Sequence, residues 1–261
     1  TDWTVILEDA TVSITDANLV NAATSGEITA TIVTESANNL ATLEGTGNAY
    51  TITTSGTDAT AAELNAIDAA TTQNVDASSI ETITSSAVSA VKTLITNATA
   101  AGIDTDYTVT LSDESIAATD ITTVDTHTSG LVTVNATTIT GDHADITTAI
   151  SSAGTAISGS IAVTSDNNMS SSELAAMDIL TTGTITATIS DGGLDALASL
   201  TNVNTNNALT IVVADAAATA VELNTLNDMT SLNVTASAVE AIESSAVSAV
   251  KTLITNATAA G

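Results

Sequence analysis

Residues 85–102, SSAVSAVKTLITNATAAG, occur twice in this chain of 261 residues. The same eighteen letters return as residues 244–261, at an offset of 159 in residue number. Packing preferences alone do not reproduce eighteen identical residues, so the segment is a duplicated unit. Self-similarity at a fixed spacing is typical of repeat proteins, and it decides how the rest of the chain is interpreted.

Shorter matches accompany this repeat at the same spacing. The tripeptide ELN occupies residues 63–65 and again residues 222–224. We therefore predict a partial repeat over residues 1–102, spacer units over 103–156 and a second copy over 157–261. Since the second copy stops where the first continues into another unit, we interpret the chain as part of a longer repeat protein.

Composition and charge exclude several classes of function. The chain has no Pro, Cys, Phe or Arg, its basic side chains are Lys92 and Lys251, and its formal net charge is −28. Nucleic-acid binding needs Lys and Arg to replace phosphate counterions, so that class is excluded. A hydrophobic content of 44% is too high for a disordered acidic tail. No apolar run approaches the roughly 18 residues of a membrane-spanning helix.

Short alternating segments recur every 22 to 29 residues along most of the chain. Residues 28–32 and residues 185–189 both read ITATI, in which apolar and polar side chains alternate. This period of two predicts strands with one buried face.

Each predicted strand precedes a short segment with helical spacing. Three of these segments open with Ser or Thr three residues before Glu, at Thr60 and Glu63, Ser170 and Glu173, and Thr219 and Glu222. This spacing predicts a capping box, in which each side chain binds the other residue's backbone N–H. Helices should therefore begin at these three positions.

One strand and one short helix in about 24 residues predict a single right-handed parallel β-solenoid over residues 1–261, with a helical turn in most coils. The alternatives are an all-β solenoid and tandem β-sandwich modules. The apolar positions on the predicted inner faces should all be buried. They are Ile28, Ile32, Leu64, Ile67, Val109, Leu174, Ile185, Ile189, Leu223 and Leu226.

Residues 60–72, TAAELNAIDAATT, followed by VDAS at residues 75–78, carry a family resemblance. This Thr- and Ala-rich, Lys-poor pattern resembles the giant repetitive cell-surface proteins of bacteria, particularly those of marine cyanobacteria. The resemblance implies an extracellular surface protein involved in adhesion or motility. It brings no catalytic signature with it.

Little in the sequence favours an enzyme. The histidines are His127, which has no partner in the neighbouring sequence, and His143. His143 lies between Asp142 and Asp145, which could bring two carboxylates and an imidazole near one metal ion. The alternative is a polar turn between two units. No nucleophile elbow or phosphate-binding glycine loop occurs, so no catalytic residue is predicted.

Oxygen-rich turns between the predicted elements are candidates for calcium, because hard cations prefer carboxylate and amide oxygens. The alternative is that Asp and Asn are simply favourable in turns. The candidate residues are Asp104, Asp106, Asp113, Glu114, Asp166 and Asn167, together with the Asp142, His143 and Asp145 cluster.

Paired threonines lie on the outward face of the predicted strands. They would stack as a ladder of hydroxyl groups like that of ice-binding repeat proteins, although Thr is also a favoured residue on any half-exposed strand, the interpretation we prefer. The ladder consists of Thr29, Thr31, Thr51, Thr53, Thr108, Thr110, Thr186 and Thr188.

The function predicted from these patterns is structural. We expect an acidic segment of an extracellular surface protein or fibre that supplies length and self-association or adhesion. The alternative is a binding module for ice, or for carbohydrate in a calcium-dependent manner. The expected partners are copies of the chain, stacked laterally or head to tail, and cell-surface glycans. Exposed apolar ends should carry the head-to-tail contact, at Trp3, Val5, Leu7, Val250 and Leu253.

Overall fold

Helices occur throughout the computed structural model, which describes residues 2–260. The described helices are α1 (Ile14–Ala23), α2 (Ala37–Leu40), α3 (Ala61–Ala70), α4 (Val88–Thr96), α5 (Ala98–Ala101), α6 (Ala118–His127), α7 (His143–Ser151), α8 (Ser171–Asp178), α9 (Leu194–Leu197), α10 (Ala220–Asp228) and α11 (Val247–Ala260), with a 3-10 helix over Ala198–Asn202. Most of the longer ones follow directly on a strand or an isolated bridge, as the alternation of patterns in the sequence predicts.

Strands between these helices are two to five residues long. They are β1 (Val5–Ile6), β2 (Ile28–Thr31), β3 (Glu35–Ser36), β4 (Ala49–Thr51), β5 (Thr54–Ser55), β6 (Asp58–Ala59), β7 (Thr82–Ser86), β8 (Thr108–Leu111), β9 (Ser115–Ala117), β10 (Val132–Val134), β11 (Thr138–Gly141), β12 (Thr155–Ile157), β13 (Ala162–Ser165), β14 (Ile185–Thr188), β15 (Ala208–Thr210), β16 (Ala217–Thr219) and β17 (Ala241–Glu243).

The strands pair in parallel in several short sheets. Their orders are β1-β2-β4, β12-β10-β8-β7-β6, β15-β14-β13-β11-β9, β16-β17 and β3-β5. Parallel pairing follows from the helix between successive strands, because a crossover returns the chain to the same sheet edge in the same direction.

The predicted β-solenoid was wrong. The protein is mixed α/β, with separate parallel sheets of two to five strands rather than one continuous solenoid sheet. Pairing stops where polar residues replace strand formers: Val75, between Asn74 and Asp76, is in no strand, and only the isolated bridge from Thr53 to Asp76 forms there. The helices exclude the all-β alternative, and the parallel pairing excludes modules built from antiparallel sandwiches.

The chain folds into two compact units that interleave along the sequence. Unit 1 comprises Thr1–Asp113, Asp120–Asn135 and Ala153–Ala156, and it carries β1 to β8 and β10. Unit 2 comprises Glu114–Thr119, Ala136–Ser152 and Ile157–Gly261, and it carries β9, β11 and β13 to β17.

The core of each unit consists mainly of Ile, Leu, Val and Ala. All ten apolar positions predicted to be buried are buried, from Ile28 to Leu226. Tyr50 and Tyr107 are also fully buried, so the core includes single aromatic rings. In β2, β8 and β14 the buried side chains alternate with exposed or half-buried ones, as the period of two predicts.

The three predicted capping boxes are confirmed. Thr60, Ser170 and Thr219 each accept a hydrogen bond from the backbone of the Glu three residues later, and each Glu binds the cap residue's N–H in return. These boxes satisfy backbone donors that a helix leaves free at its first turn. They fix the starts of α3, α8 and α10.

Hydrogen bonds that join neighbouring segments recur at equivalent positions of the two copies. In both copies a serine hydroxyl accepts the first N–H of a helix, and an asparagine side chain donates to a carbonyl of the next helix. The corresponding pairs are Ala61–Ser86 (3.0 Å) and Ala220–Ser245 (2.8 Å), then Asn65–Ala90 (2.9 Å) and Asn224–Ala249 (3.0 Å). The repeat in the sequence is therefore also a repeat in the contacts.

Candidate functional site

Threonine hydroxyls form a recurring contact that we call the threonine clamp. A Thr at the end of a helix donates to a backbone carbonyl 20 or 21 residues earlier, and the same hydroxyl accepts the N–H two residues later. The pairs of Thr and carbonyl are Thr24 and Trp3, Thr71 and Tyr50, Thr128 and Tyr107, Thr181 and Ile161, and Thr230 and Leu209. Each clamp ties the segment after a helix to a carbonyl in or just before an earlier strand.

Sequence reasoning missed the clamps, although a signal was present. The clamp residues lie in the tripeptides TSG, TTQ, TSG, TTG and TSL at residues 24–26, 71–73, 128–130, 181–183 and 230–232. The N–H donor is Gly in three of them, at Gly26, Gly130 and Gly183. Part of the unusual Thr content is thus explained by satisfaction of backbone groups rather than by an exposed ladder.

Thr128→Val should lower the free energy of unfolding of unit 1 by about 1–3 kcal/mol, because it leaves the Tyr107 carbonyl and the Gly130 N–H without their hydroxyl partner. Thr126→Val is the matched control, since the exposed Thr126 hydroxyl binds only a carbonyl of its own helix. Urea unfolding monitored by circular dichroism measures both variants. Equal losses would contradict the clamp.

Two buried asparagines fix the start of a strand in each repeat copy. The Asn48 side-chain oxygen accepts the Ile28 N–H at 3.1 Å, and that of Asn207 accepts the Ile185 N–H at 2.8 Å. Both side chains are almost completely buried, and they occupy equivalent positions in the two copies. No sequence signal distinguishes them from ordinary turn asparagines.

The predicted threonine ladder is only partly continuous. All eight of its residues are exposed or half-buried, so they lie on the outer side of the strands. Thr31 pairs with Thr51 on the next strand, but Thr29 pairs with Ala49, and Thr186 lies between Thr164 and Ala208. The longest row of directly paired threonines in the described sheets is Thr140, Thr164 and Thr186.

His143 is the centre of a polar cluster in unit 2. Its Nε2 lies 3.0 Å from Glu173 Oε1, and its Nδ1 lies 3.3 Å from Asn167 Oδ1. Because both neighbours are acceptors, the imidazolium form donates to both. The His143 N–H and the Ser165 hydroxyl also donate to Asn167 Oδ1. This cluster links α7 to α8 and occupies the ring nitrogens that a metal ion would need.

His143 and Asn167 were predicted as members of two separate candidate sites, whereas in the structure their side chains lie within hydrogen-bonding distance of each other. It does not bring Asp142 or Asp145 into their hydrogen bonds. Glu173 was identified for its capping box and not for its contact with His143. Its position in the first turn of α8 carries both roles.

The contribution of Glu173 to the stability of the fold should depend on pH. Hydrogen bonds from the Ser170 backbone and hydroxyl, followed by the charge of His143, lower the pKa of its carboxyl group. A folded-state pKa below the unfolded one gives stability that is present above the unfolded pKa, about 4.3, and is lost as pH falls through the folded pKa.

Glu173→Gln should therefore lower the melting temperature most at neutral pH, and the difference from the wild type should close by about pH 3. Because each variant is compared with the wild type at the same pH, the general effect of the net charge on the melting temperature cancels. Glu27→Gln, at an exposed carboxylate, serves as the control for the loss of one negative charge. A gap for Glu173→Gln that is constant from neutral to acid pH would contradict the assignment.

The other acidic turn residues named as calcium candidates do not take part in the described hydrogen bonds of the His143 side chain. Asp104, Asp106, Glu114 and Asp166 are exposed, whereas the Asp113 carboxylate accepts the Val88 N–H at 2.7 Å and so caps the start of α4. Within residues 2–260 no group of three or more His, Asp or Glu side chains is arranged to hold a metal ion.

His127 has a partner that its sequence neighbours do not reveal. Its Nδ1 lies 3.0 Å from the hydroxyl of Tyr107, twenty residues earlier. Burial raises the pKa of Tyr107 to about 12, so the phenol stays neutral and can donate to the imidazole. The contact is a structural link between α6 and the start of β8.

The predicted assembly ends are accessible in the structure. Trp3 is 65% exposed, and Val5, Leu7, Val250 and Leu253 are half-buried. No helix in the described part of the chain is long and apolar enough to cross a membrane. Comparison with protein-family models, with curated proteins and with solved structures finds no match to this chain.

Proposed function

We propose that the chain is a non-catalytic structural segment of an extracellular surface protein or fibre. Its repeated units supply length and a uniform acidic surface, and its ends supply self-association. The observation that carries the proposal is the recurrence of the same hydrogen bonds at equivalent positions of the two copies. Selection for a repeated scaffold explains this pattern, because each unit must present the same contacts to the next.

The use of the polar side chains supports the same conclusion. Buried Thr and Asn residues bind backbone groups of neighbouring segments, and Glu63, Glu173 and Glu222 cap helices. Their hydrogen-bonding capacity therefore goes into holding segments together. A net charge of −28 favours solubility along a long surface polymer.

Immunogold electron microscopy of the source cells tests the proposal. Antibodies raised against the chain should label intact, unpermeabilised cells, and brief protease treatment of those cells should remove the label. An antibody to a cytoplasmic protein is the control and should label only permeabilised cells. Labelling of this chain restricted to the cell interior would contradict the proposed location.

Ice binding is the second candidate, favoured by the row of Thr140, Thr164 and Thr186 on adjacent strands. Hydroxyl groups in such a row repeat at the strand spacing of about 4.8 Å. Thermal hysteresis in the wild type, lost in Thr164→Tyr but kept in Thr225→Tyr on a helix, would support it. A wild type without hysteresis would remove this candidate and leave the structural proposal intact.

A further inference from the structure

The two copies of the repeated segment have different surroundings, although residues 85–102 and 244–261 are identical in sequence. In the first copy β7 pairs with β8, and Ile83 is fully buried. In the second copy β17 pairs only with β16 among the described strands, and the corresponding Ile242 is 45% exposed. Val247, at the start of α11, is 74% exposed. We call the surface formed by β17 and α11 the tail face.

The segment that covers the first copy has a relative elsewhere in the chain. Residues 105–130, TDYTVTLSDESIAATDITTVDTHTSG, contain β8 and α6. Residues 1–26, TDWTVILEDATVSITDANLVNAATSG, match them without a gap at 12 of 26 positions, at an offset of 104 in residue number. We call residues 2–26 the head segment.

The helix and the first strand pairing of the head segment lie at positions equivalent to those in residues 106–130. Helices α1 and α6 have equivalent bounds at this offset, at residues 14–23 and 118–127. Val5 pairs with Ile28 as Val109 pairs with Val132, again at the same offset. The two segments are therefore equivalent in helix position and in strand register.

The close contact that ends each segment is the same in both. A Cβ at Gly26 would lie 2.2 Å from the Trp3 carbonyl oxygen, and a Cβ at Gly130 would lie 2.2 Å from that of Tyr107. Only Gly fits such an approach, and a threonine clamp accompanies both. The side chains differ in burial, because Tyr107 is fully buried whereas Trp3 is 65% exposed.

Several contacts hold residues 106–130 against the first copy. The residues that make these contacts have equivalents in the tail face and in the head segment. Within unit 1, Lys92 Nζ lies 2.6 Å from Asp120 Oδ1, and the Thr108 N–H donates to the Glu81 carbonyl at 2.9 Å. The equivalent residues are present on both sides. Lys251 and Asp16 correspond to the ion pair of Lys92 and Asp120, and Glu240 and Thr4 correspond to the backbone bond of Glu81 and Thr108. Val247 and Asp9 correspond to Val88 and its capping residue Asp113, and Ile242 and Val5 correspond to the strand pair of Ile83 and Val109.

We propose that the tail face binds the head segment of a second copy of this chain, in the arrangement by which residues 106–130 cover the first copy. The inference rests on the self-association in the proposed function and names its partner and contacts. β1 of one copy adds to β17 of the other, and Asp16 pairs with Lys251. The contact is heterologous, so successive copies can add in one direction.

Sedimentation velocity of the 261-residue chain over micromolar to millimolar concentrations, at physiological salt, tests the proposal. Salt screens the repulsion between the acidic copies. The wild type should associate with rising concentration, and Ile242→Asp should weaken association at least about tenfold, because it places a charge at an apolar contact. Ile179→Asp is the matched control, since Ile179 is 86% exposed at the end of α8 and should leave association unchanged.

Exchanging the charges of Asp16 and Lys251 tests whether these two residues meet across the contact between copies. Asp16→Lys and Lys251→Asp should each weaken association alone, because each variant places like charges at the head-to-tail pair. In an equal mixture of the two variants, every head can meet a tail of opposite charge, so association should return toward the wild-type level. Circular dichroism should show that each variant keeps the wild-type helix content.

Three outcomes would overturn the inference. A wild type that stays monomeric at every concentration would show that the tail face does not take a second copy. Association that survives Ile242→Asp, or a mixture that gains nothing over its components, would place self-association on another surface. Those last two results would leave the proposed function standing, and cell labelling tests that function independently.

Discussion

Leu94→Ala should lower the free energy of unfolding of unit 1 by about 2–5 kcal/mol, whereas Leu253→Ala should cost unit 2 less than about 1 kcal/mol. The two leucines occupy the same place in eighteen identical residues. Leu94 is fully buried, so its truncation leaves a cavity, while Leu253 is half-buried in the tail face and water can fill the space. The repeat thus provides its own control.

Amide hydrogen exchange in α4 and α11 measures the two effects separately, as a chain with two units need not unfold in one step. Both substitutions belong in the Ile242→Asp background, in which association does not add to the stability of α11. Equal losses at the two positions would mean that α11 is as well packed as α4. That result would contradict the uncovered tail face.

Local signals predicted the helices well. The capping boxes at Thr60, Ser170 and Thr219 act within one turn, so their geometry depends on nearby residues alone. Inner positions such as Ile28 and Leu64 were also predictable, because burial follows directly from hydrophobic periodicity. These features need no knowledge of how one unit meets the next.

The same local signals could not show whether the strands form one continuous solenoid sheet or several separate sheets. Sheet continuity depends on whether each strand finds its neighbour in register, and strands of two to five residues hold few ladder bonds. At Val75 the flanking Asn74 and Asp76 leave only a bridge, and the recurring pattern in the sequence does not distinguish this segment from a full strand. Helix length was underestimated too, since α3 occupies ten residues of its unit.

The site residues were predicted least well, since their partners lie 20 or more residues away. The clamp at Thr128 needs the Tyr107 carbonyl, and His127 needs the Tyr107 hydroxyl. Neither pairing has a rule in sequence. His143 and Asn167 were noticed for their chemistry, but only the alignment of neighbouring strands showed that they meet.

Asn207→Asp should lower the free energy of unfolding of unit 2 by about 3 kcal/mol or more at pH 7. The Asn207 side chain is fully buried, and its Nδ2 donates to Asp178 Oδ1 at 3.1 Å. The substitution keeps the shape but turns that donor into a carboxylate oxygen facing another carboxylate. Burial and the like charge should raise the pKa of the new group.

The pH dependence provides the second readout of this variant. Because the folded-state pKa is raised, the penalty should be complete above that pKa and should disappear as pH falls to the unfolded value, about 3.9. Asn204→Asp is the matched control, since exposed Asn204 donates to the same Asp178 oxygen at 3.1 Å. Solvent screening should hold its cost below about 1 kcal/mol. Urea unfolding at neutral and acid pH measures both variants.

The equivalent position in the other copy provides a second comparison for this test. Asn48 corresponds to Asn207 in the other copy, but its Nδ2 donates to the amide oxygen of Asn21, not to a carboxylate. Rotation of the Asn21 amide would present a donor to a new carboxylate at residue 48. Asn48→Asp should therefore cost less than Asn207→Asp, although both sites are buried. Equal costs would show that burial alone, and not the charge of Asp178, sets the penalty.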